Sequence, residues 1–300
     1  MNKILISGSS GFVGENLCSY LSNHNFDIIS ISRDELQQIN CSIFDKGSTF
    51  IHLAGKAHDL KKTSNPREYY EVNFEITKKL YDAFLISDAK KFVFISSVKA
   101  VADSVDGVLT EDVIPNPLTH YGKSKLMAED YIQSQPLPEG KSYFILRPCM
   151  IHGPGNKGNL NLLYQIVSKG IPYPLAAFEN KRSFLSVENL CFVIKGLIDK
   201  EIDSGVYQVA DDEALSTSEV VSILAESSGN KPKLWHISKR LIKMLASVGN
   251  VLHLPLNTEK LNKLTESYIV SNHKLKIAIG EEWPMKTKDG LTLTAKSFLD

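Results

Sequence analysis

The sequence predicts a doubly wound parallel α/β sheet followed by a smaller C-terminal α/β lobe. Short apolar runs alternate with amphipathic stretches over roughly the first 150 residues, the order expected when each buried parallel strand is followed by a helix that covers it. A glycine-rich turn joins the first such pair at 8–14. After about Gly153 the alternation weakens, and Gly, Pro and Asn concentrate at 153–161. We therefore expect a first domain over 1–155, a segment near 185–210 that returns to it, and a lobe formed mainly by 156–300.

Each element follows from its own pattern. Strands are predicted where short apolar runs occur, at 4–6, 26–31, 49–54, 92–95 and 142–146, the last being stopped by Arg147 and Pro148. Helices are predicted where apolar residues recur every three or four positions, at 12–21, 67–89 and 121–134. Only about fifteen residues separate Arg33 from Thr49, which is too few for a strand, a helix and two loops. We expect an abbreviated element there.

The composition excludes several classes of protein. The 34 lysines and arginines balance 34 aspartates and glutamates, which argues against a protein that binds nucleic acid by charge. The four cysteines form no C-x-x-C pair, and the eight histidines form no H-x-x-x-H or H-E-x-x-H arrangement. We therefore expect no metal site, no disulfide framework and a reducing, cytoplasmic location. No apolar run reaches the ~20 residues that span a bilayer, so we expect no integral membrane segment.

The turn at 8–14 reads G-x-x-G-x-x-G, with Gly8, Gly11 and Gly14 at the repeated positions and Phe12 and Val13 between the last two. Glycines let the backbone turn tightly and approach a phosphate, and the start of the following helix offers N–H groups and a positive dipole end. A glycine-rich turn that binds nothing is the alternative. The place of the turn, between the first strand and the first helix, favours a Rossmann-type site for a dinucleotide pyrophosphate.

The second predicted strand is followed by Ser32 and Arg33. A site for NAD usually has an Asp or Glu here, because a carboxylate accepts a hydrogen bond from the ribose 2′-hydroxyl. Ser32 and Arg33 could instead bind a 2′-phosphate, so we expect NADP, with NAD as the alternative. Asp34 and Glu35 follow closely. If the chain turned one residue later, the Asp34 carboxylate would favour NAD and Arg33 would be a solvated loop residue.

Tyr121 and Lys125 form a Y-x-x-x-K pattern on a predicted helix, and of the eleven tyrosines only Tyr121 has a lysine four residues later. Residues four apart share a helix face, so we expect the Lys125 ammonium to lower the pKa of the Tyr121 phenol. Such a phenol can give or take a hydroxyl proton while a hydride moves. Ser97 follows the strand at 92–95, and the carboxyl ends of parallel strands face the ligand crevice. We expect Ser97 to hold a substrate oxygen against Tyr121.

With these residues together, the sequence resembles the extended short-chain dehydrogenase/reductase family, and within it the nucleotide-sugar epimerases, dehydratases and reductases. The resemblance covers nearly the whole chain and identifies Ser97, Tyr121 and Lys125 as the catalytic triad. Other motifs of the family match five further segments. In chain order these are His52-Leu53-Ala54-Gly55, Val72-Asn73-Phe74-Glu75-Ile76-Thr77, Arg147-Pro148, Gly153-Pro154-Gly155 and 182–190.

The resemblance also implies roles for residues outside the triad. A nicotinamide dinucleotide is expected to contact the glycine turn, Tyr121 and Lys125, together with Leu53, Ala54, Gly55, Asn73 and Pro148. A nucleotide-sugar substrate is expected to contact Ser97, Lys99, Asn159 and Arg182, with the arginine near the nucleotide diphosphate. A solvated side chain is the equal alternative for Lys99.

Local departures narrow the function that the resemblance implies. Ser97-Val98-Lys99 and the runs at 156–159 and 171–175 resemble UDP-N-acetyl-hexosamine 4-epimerase-like proteins and 4-keto reductases of surface-polysaccharide pathways. The dehydratases of the family carry Asp-Glu where Val98 and Lys99 stand. We expect a 4-keto-sugar reductase that consumes NADPH, with a 4-epimerase holding NAD tightly as the alternative. An inactive dinucleotide-binding sensor is a second alternative, which the intact triad disfavours.

Three further expectations concern surfaces and histidines. The resemblance implies a homodimer that pairs 67–89 and 121–134 across a two-fold axis. The apolar positions there exceed what one packed face needs, among them Tyr70, Phe74, Met127 and Tyr131. A later apolar stripe is expected to pack against the C-terminal lobe, with a membrane surface as the alternative; it comprises Ile237, Leu241, Met244, Leu245 and Val248, beside Lys239, Arg240 and Lys243. His52 and His58 are expected to be structural or to contact the cofactor.

Overall fold

The computed structural model describes residues 3–39, 41–56, 65–156, 158–252 and 257–299. Six parallel strands form the central sheet in the order β2-β1-β3-β4-β6-β9, and two further pairs, β5 with β10 and β7 with β8, lie outside it. The strands are β1 (Lys3–Ser7), β2 (Asp27–Ile31), β3 (Thr49–His52), β4 (Lys91–Ile95), β5 (Val108–Leu109), β6 (Ser142–Pro148), β7 (Met150–His152), β8 (Phe184–Ser186), β9 (Gly205–Val209) and β10 (Ile269–Val270). The predicted doubly wound parallel α/β fold is therefore confirmed.

Helices cover both faces of the sheet and build the C-terminal lobe. They are α1 (Phe12–Asn23), α2 (Pro66–Tyr70), α3 (Ile76–Ile86), α4 (His120–Ser134), α5 (Asn159–Ser168), α6 (Val187–Asp199), α7 (Thr217–Ser227), α8 (Lys239–Val251), α9 (Thr258–Thr265), α10 (His273–Ile279) and α11 (Thr287–Lys296). Short 3-10 turns occupy Glu35–Gln37, Cys41–Lys46 and Val98–Ala100, and a π-helical turn occupies Glu71–Glu75. None of the helices in the described ranges is long and apolar enough to cross a membrane.

Side chains of the sheet alternate between two apolar layers. Ile4 and Ile6 of β1 are fully buried with residues of α1 and α6, whereas Leu5 between them is buried with residues of α3 and α4. Successive side chains of a strand point to opposite faces, so one short apolar run supplies both layers. Burying a large aliphatic side chain contributes roughly 1.5–3 kcal/mol. The sheet is thus fixed from both sides, and its strand ends hold the site.

The order of the strands creates a crevice at one edge. β1 pairs with β2 on one side and with β3 on the other. After β2 the chain therefore crosses back over β1 to reach β3, so the direction of strand addition reverses at this point. Ligands of open α/β sheets bind outside the carboxyl ends of the strands at such a switch point. The glycine turn follows β1, which places it in this crevice.

Several predicted boundaries were wrong in detail. The helix predicted over 67–89 ends at Ile86 and is interrupted by the π turn. β6 does not stop at Leu146 but continues through Arg147 and Pro148, which pair with Gln208 and Val209 of β9. A proline is tolerated at a strand end, and a buried carboxylate neutralises Arg147. The short region before β3 forms two 3-10 turns, which confirms the abbreviated element.

The C-terminal lobe has its own small cores. Residues of α5, α7 and α11 form one cluster, and residues of α8 and α9 form another with Leu175. In α8 Ile242 and Ala246 are buried, whereas Leu241, Met244, Leu245 and Val248 are exposed. The predicted packing of that stripe against the lobe is therefore wrong for these four residues; of the stripe, Ile237 alone packs against the cluster. The error arose because α8 carries apolar residues on two neighbouring faces.

Candidate active site

The glycine turn fits closely against the loop after β3. Gly8 has a φ of +76°, and a Cβ on it would lie 2.6 Å from the backbone nitrogen of Ala54. A Cβ on Gly14 would lie 2.2 Å from the carbonyl oxygen of Gly8, so both positions require glycine. Gly11 caps α1 without a side chain, and Phe12 and Val13 open the helix. The turn therefore has the form that a pyrophosphate needs at a helix N-terminus.

The residues after β2 form a closed turn of their own. The Glu35 carboxylate accepts hydrogen bonds from the Ser32 backbone N–H at 2.8 Å and the Ser32 hydroxyl at 2.9 Å, and the Glu35 N–H donates back to that hydroxyl at 3.2 Å. These reciprocal bonds have the S-x-x-E pattern of a capping box, although the 3-10 turn itself begins at Glu35. Ser32 is thus already engaged, while Arg33 is exposed and makes no hydrogen bond or ion pair with the described part of the chain. The sequence analysis did not predict the bonds between Ser32 and Glu35, although the S-x-x-E spacing at 32–35 signals them.

Asn73 joins the loop after β3 to α4. Its Oδ1 accepts from the Lys56 backbone N–H at 2.7 Å, and its Nδ2 donates to the Lys56 carbonyl and the Ser124 hydroxyl, both at 3.1 Å. Asn73 is fully buried and lies in the π turn. The preceding Leu53, Ala54 and Gly55 form the loop that this amide holds beside the glycine turn.

Tyr121 and Ser97 are brought together at the carboxyl end of β4. Thr119 caps α4 by accepting from the Gly122 N–H at 3.1 Å, and a Cβ on Gly122 would lie 2.3 Å from the Lys99 carbonyl oxygen. This close approach seats the first turn of α4 on the segment after β4. The Ser97 and Tyr121 side chains are hydrogen-bonded to each other, as the predicted pair requires.

Lys125 lies one turn further along α4 and is buried. Its Nζ donates to the Ile95 carbonyl at 2.8 Å and lies 4.7 Å from the centroid of the Phe94 ring. Burial lowers the pKa of Lys125 to about 8, although Glu129 opposes this effect. A Cβ on Gly55 would lie 3.2 Å from Nζ, so the ammonium borders the loop that faces the expected dinucleotide.

The net shift of the Tyr121 pKa is upward in this structure, opposite to the lowering that the sequence analysis expected. Burial raises the pKa of Tyr121, and the hydrogen bond from Ser97 opposes it without cancelling it. The neighbouring Tyr69 ring, 6.2 Å away between centroids and edge-on, helps to exclude water from the phenol.

A buried ion pair that the sequence analysis did not predict joins α4 to β6. The Arg147 Nε donates to both oxygens of the Glu129 carboxylate, at 3.1 and 2.9 Å, and the Ser96 hydroxyl also donates to it. Glu129 and Arg147 are both buried. Burial raises the pKa of Glu129, while Arg147 and Ser96 oppose this. Glu129 follows Lys125 by four residues, so its helix face could have been read from the spacing.

The residues predicted for substrate have intramolecular partners. The Lys99 Nζ donates to the Asp103 carbonyl at 2.7 Å and lies over the Tyr268 ring. The Arg182 Nε donates to the Glu266 carbonyl at 3.2 Å, and its backbone pairs with that of Tyr268. Lys99 and Arg182 are therefore near each other on the lobe side of the crevice.

The remaining predicted residues have mixed outcomes. Asn159 is the first residue of α5, but its side chain lies outside the described part, as does His58. Pro148 ends β6 and is buried. His52 is buried, hydrogen-bonded through Nδ1 to Ser7 at 2.6 Å and through Nε2 to Thr77 at 3.0 Å, which makes it structural. Within the described ranges no cluster of three or more His, Cys, Asp or Glu residues could hold a metal ion.

The match to known families settles the general class. The family model of the NAD dependent epimerase/dehydratase family matches residues 4–210, which include the glycine turn and the whole triad. The chain belongs to this family. Its members are nucleotide-sugar epimerases, dehydratases and reductases, so the geometry above lies in an NAD(P)-dependent nucleotide-sugar enzyme fold.

Curated members of the family that resemble the chain include epimerases and reductases. A UDP-glucose 4-epimerase from Vibrio cholerae is 31% identical, with 99% of this chain and 95% of the relative covered. The N-acetyl-alpha-D-glucosaminyl-diphospho-ditrans,octacis-undecaprenol 4-epimerase of Escherichia coli O157:H7 is 28% identical, with 79% and 75% covered. A UDP-2-acetamido-2,6-beta-L-arabino-hexul-4-ose reductase from Pseudomonas aeruginosa is 23% identical, with 90% and 68% covered.

Solved structures of the family share the fold. The UDP-N-acetylglucosamine 4-epimerase from Bacillus cereus superposes with a TM-score of 0.76 at 20% identity, covering 99% of this chain and 98% of that one. RMD from Pseudomonas aeruginosa, solved with NADPH, superposes with a TM-score of 0.75 at 19% identity, covering 100% and 98%. At these identities the likeness establishes the fold alone.

Proposed function

We propose that this protein moves a hydride at C4 of a nucleotide-linked sugar, with UDP as the favoured nucleotide, and that it works as a 4-keto-sugar reductase in surface-polysaccharide biosynthesis. The observation that carries the proposal is the hydrogen-bonded pair of Ser97 and Tyr121 above the buried Lys125 ammonium. This group stands at the carboxyl end of β4, beside the turn that fits a dinucleotide pyrophosphate.

Each side chain has a distinct part in the proposed chemistry. Ser97 holds the C4 oxygen, and Tyr121 donates a proton to that oxygen when a ketone is reduced or accepts it when an alcohol is oxidised. The hydrogen bond from the Lys125 ammonium to the Ile95 carbonyl keeps the floor of the site polar and holds the ammonium in position. When bound, the nicotinamide supplies the hydride and, in its oxidised form, a positive charge that favours the tyrosinate.

Reduction is favoured over epimerisation by the end of β2. Arg33 is exposed and without a partner in the described ranges, so its guanidinium is available for a 2′-phosphate. NADPH is the usual reductant of biosynthesis when the cofactor must be consumed at every turnover. The proposed cofactor is accordingly NADP.

A 4-epimerase is the second candidate, and one observation favours it. The Glu35 carboxylate is held on Ser32 at the end of β2, where it would attract a ribose hydroxyl and repel a 2′-phosphate. The 31% identical relative is named as a UDP-glucose 4-epimerase. An epimerase oxidises and then reduces the same carbon, so it needs tightly held NAD and no net reductant.

The two candidates differ in what is consumed. The purified protein should first be denatured and its released dinucleotide identified by mass spectrometry. It should then be given NADPH with UDP-linked 4-keto sugars, and separately UDP-glucose and UDP-N-acetylglucosamine without reductant. Stoichiometric loss of NADPH supports the reductase, whereas interconversion at C4 with co-purified NAD supports the epimerase. No turnover in either assay would contradict both and favour a sensor.

Homodimerisation through α3 and α4 is a further proposal. Tyr70, Phe74 and Tyr131 are only half-buried, and Met127 is exposed. These residues surround the face on which α4 meets the π turn and α3, so a second copy would cover them. Light scattering at micromolar concentration tests the proposal, which a monomeric mass would contradict. The four cysteines are all free in the structure, which suits the proposed cytoplasmic location.

A further inference from the structure

Helix α8 carries an exposed apolar face on the side away from the lobe. Leu241, Met244, Leu245 and Val248 are 44–57% exposed. Their spacing of three and four residues places them in one row along the helix, and Leu252, which follows the helix, continues it at 61% exposure. Soluble monomers rarely expose contiguous apolar patches of this kind unless the patch has a partner.

Weak anchoring of α8 is not the reason that this face is exposed. On the adjoining face Ile242 and Ala246 are buried in the cluster with Leu175 and Leu261. Asn250 also accepts from the Thr258 N–H at 3.1 Å and donates to its hydroxyl at 2.8 Å, which ties α8 to α9. The helix is therefore held in place while its second apolar face points outward.

The charge around α8 favours a negatively charged partner. The chain as a whole has no net charge, yet no Asp or Glu stands between Glu226 and Glu259. The same stretch contains five basic residues, which are Lys231, Lys233, Lys239, Arg240 and Lys243. The last three belong to α8 itself and are exposed. Trp235 lies shortly before the helix and is 56% exposed. Tryptophan is enriched at membrane–water interfaces.

We propose that α8 docks on the surface of a lipid bilayer with anionic headgroups. The row from Leu241 to Val248 enters the headgroup region, as in an amphipathic helix that lies in a membrane plane, and the exposed Lys239, Arg240 and Lys243 attract the helix to the anionic surface. A second copy of the chain would explain the apolar row but not the acid-free basic stretch around it. The proposal does not depend on the sugar or on the direction of the hydride transfer.

The test is co-flotation of the full-length protein with lipid vesicles. Vesicles of phosphatidylglycerol and phosphatidylethanolamine are compared with vesicles of phosphatidylcholine alone, and the wild type is expected to bind only the first at low salt. Met244→Ser with Leu245→Ser should weaken binding about tenfold or more, because two half-exposed apolar side chains no longer enter the bilayer. Replacing Lys239, Arg240 and Lys243 by Gln should weaken it about a hundredfold, at roughly fivefold for each basic residue.

Matched controls separate docking from general surface hydrophobicity and from misfolding. Ile86→Ser with Ile277→Ser removes two apolar side chains that are at least as exposed, 78% and 68%, from other helices, and should bind like the wild type. All variants should keep the wild-type melting temperature and circular dichroism. Failure of the wild type to bind, equal binding to both vesicle types, or equal binding by the Met244 and Leu245 variant would overturn the proposal. So would a dimer that this variant converts to a monomer in the absence of vesicle binding.

Discussion

The buried ion pair between Glu129 of α4 and Arg147 of β6 offers a quantitative test of how α4 is held. Glu129→Leu would remove the carboxylate that accepts from Arg147 at 2.9 and 3.1 Å and from Ser96. Arg147 is 4% exposed, so its guanidinium would remain charged, buried and without its carboxylate. Breaking a buried pair in this way costs about 3–5 kcal/mol, a large part of the roughly 5–15 kcal/mol that stabilises a typical protein.

A double-mutant cycle distinguishes the loss of a favourable ion pair from the cost of leaving one charge buried without its partner. Arg147→Met alone should also be destabilising, because it leaves the Glu129 carboxylate buried. The double variant should recover much of either loss, since a buried pair replaced by apolar residues is often close to neutral. Asp199→Asn is the matched control, because Lys195 and Asp199 form a half-exposed pair one turn apart that contributes only about 0–1 kcal/mol.

Urea unfolding, followed by circular dichroism and by the fluorescence of the buried Trp283, gives the free energy of unfolding for each variant. We expect the free energy of unfolding of the Glu129 and Arg147 single variants to be several kcal/mol lower than that of the wild type. The double variant should lose less than the sum of the two single losses, so the coupling energy has the opposite sign to those losses. A cost for Glu129→Leu no larger than that of Asp199→Asn, or additive single effects, would refute the reasoning.

Three further predictions concern the chemistry, the cofactor and the effect of acid. Tyr121→Phe should leave dinucleotide binding near normal but reduce kcat by about two to four orders of magnitude; unchanged turnover would remove Tyr121 from the mechanism. Arg33→Ala should weaken NADPH binding roughly ten- to a hundredfold and leave NADH almost unaffected, and equal losses in titrations of both would contradict the NADP assignment. Burial lowers the pKa of His52 to about 3, below about 6.5 in an unfolded chain, so the unfolded state binds the proton first. Stability should therefore be complete above about pH 6.5 and fall towards pH 3, by about 2 kcal/mol between pH 7 and pH 5, and His52→Asn should lose this dependence in urea titrations at both pH values.

The parallel sheet and its crevice could be predicted because buried strands and amphipathic helices have distinct periods. The positions of Ser97, Tyr121 and the glycine turn follow from strand ends and helix starts, which are local in sequence. The π turn could not be predicted, because Tyr70, Phe74, Tyr81 and Phe84 recur at ordinary helical spacing across it. The outward row of α8 was misassigned for a related reason, since periodicity shows that a face is apolar but not what covers it.

Interactions between distant segments limited the prediction of the site itself. The face of Glu129 follows from its spacing after Lys125, but its partner Arg147 lies on a strand whose side-chain direction only the assembled sheet determines. The turn formed by Ser32 and Glu35 was available from the sequence as a capping signal.

The π turn at Glu71–Glu75 sets the rotation about the helix axis of the residues before it relative to the residues after it. One residue of an α-helix corresponds to about 100° of rotation, so a single deletion here would turn everything before it relative to everything after it. Tyr69 before the turn faces Tyr121, whereas Thr77 after it contacts His52 in the core. Both contacts depend on the rotation that the chain accumulates between these two residues. The length of this segment, more than the identity of most of its residues, therefore sets how Tyr121 is placed relative to the sheet.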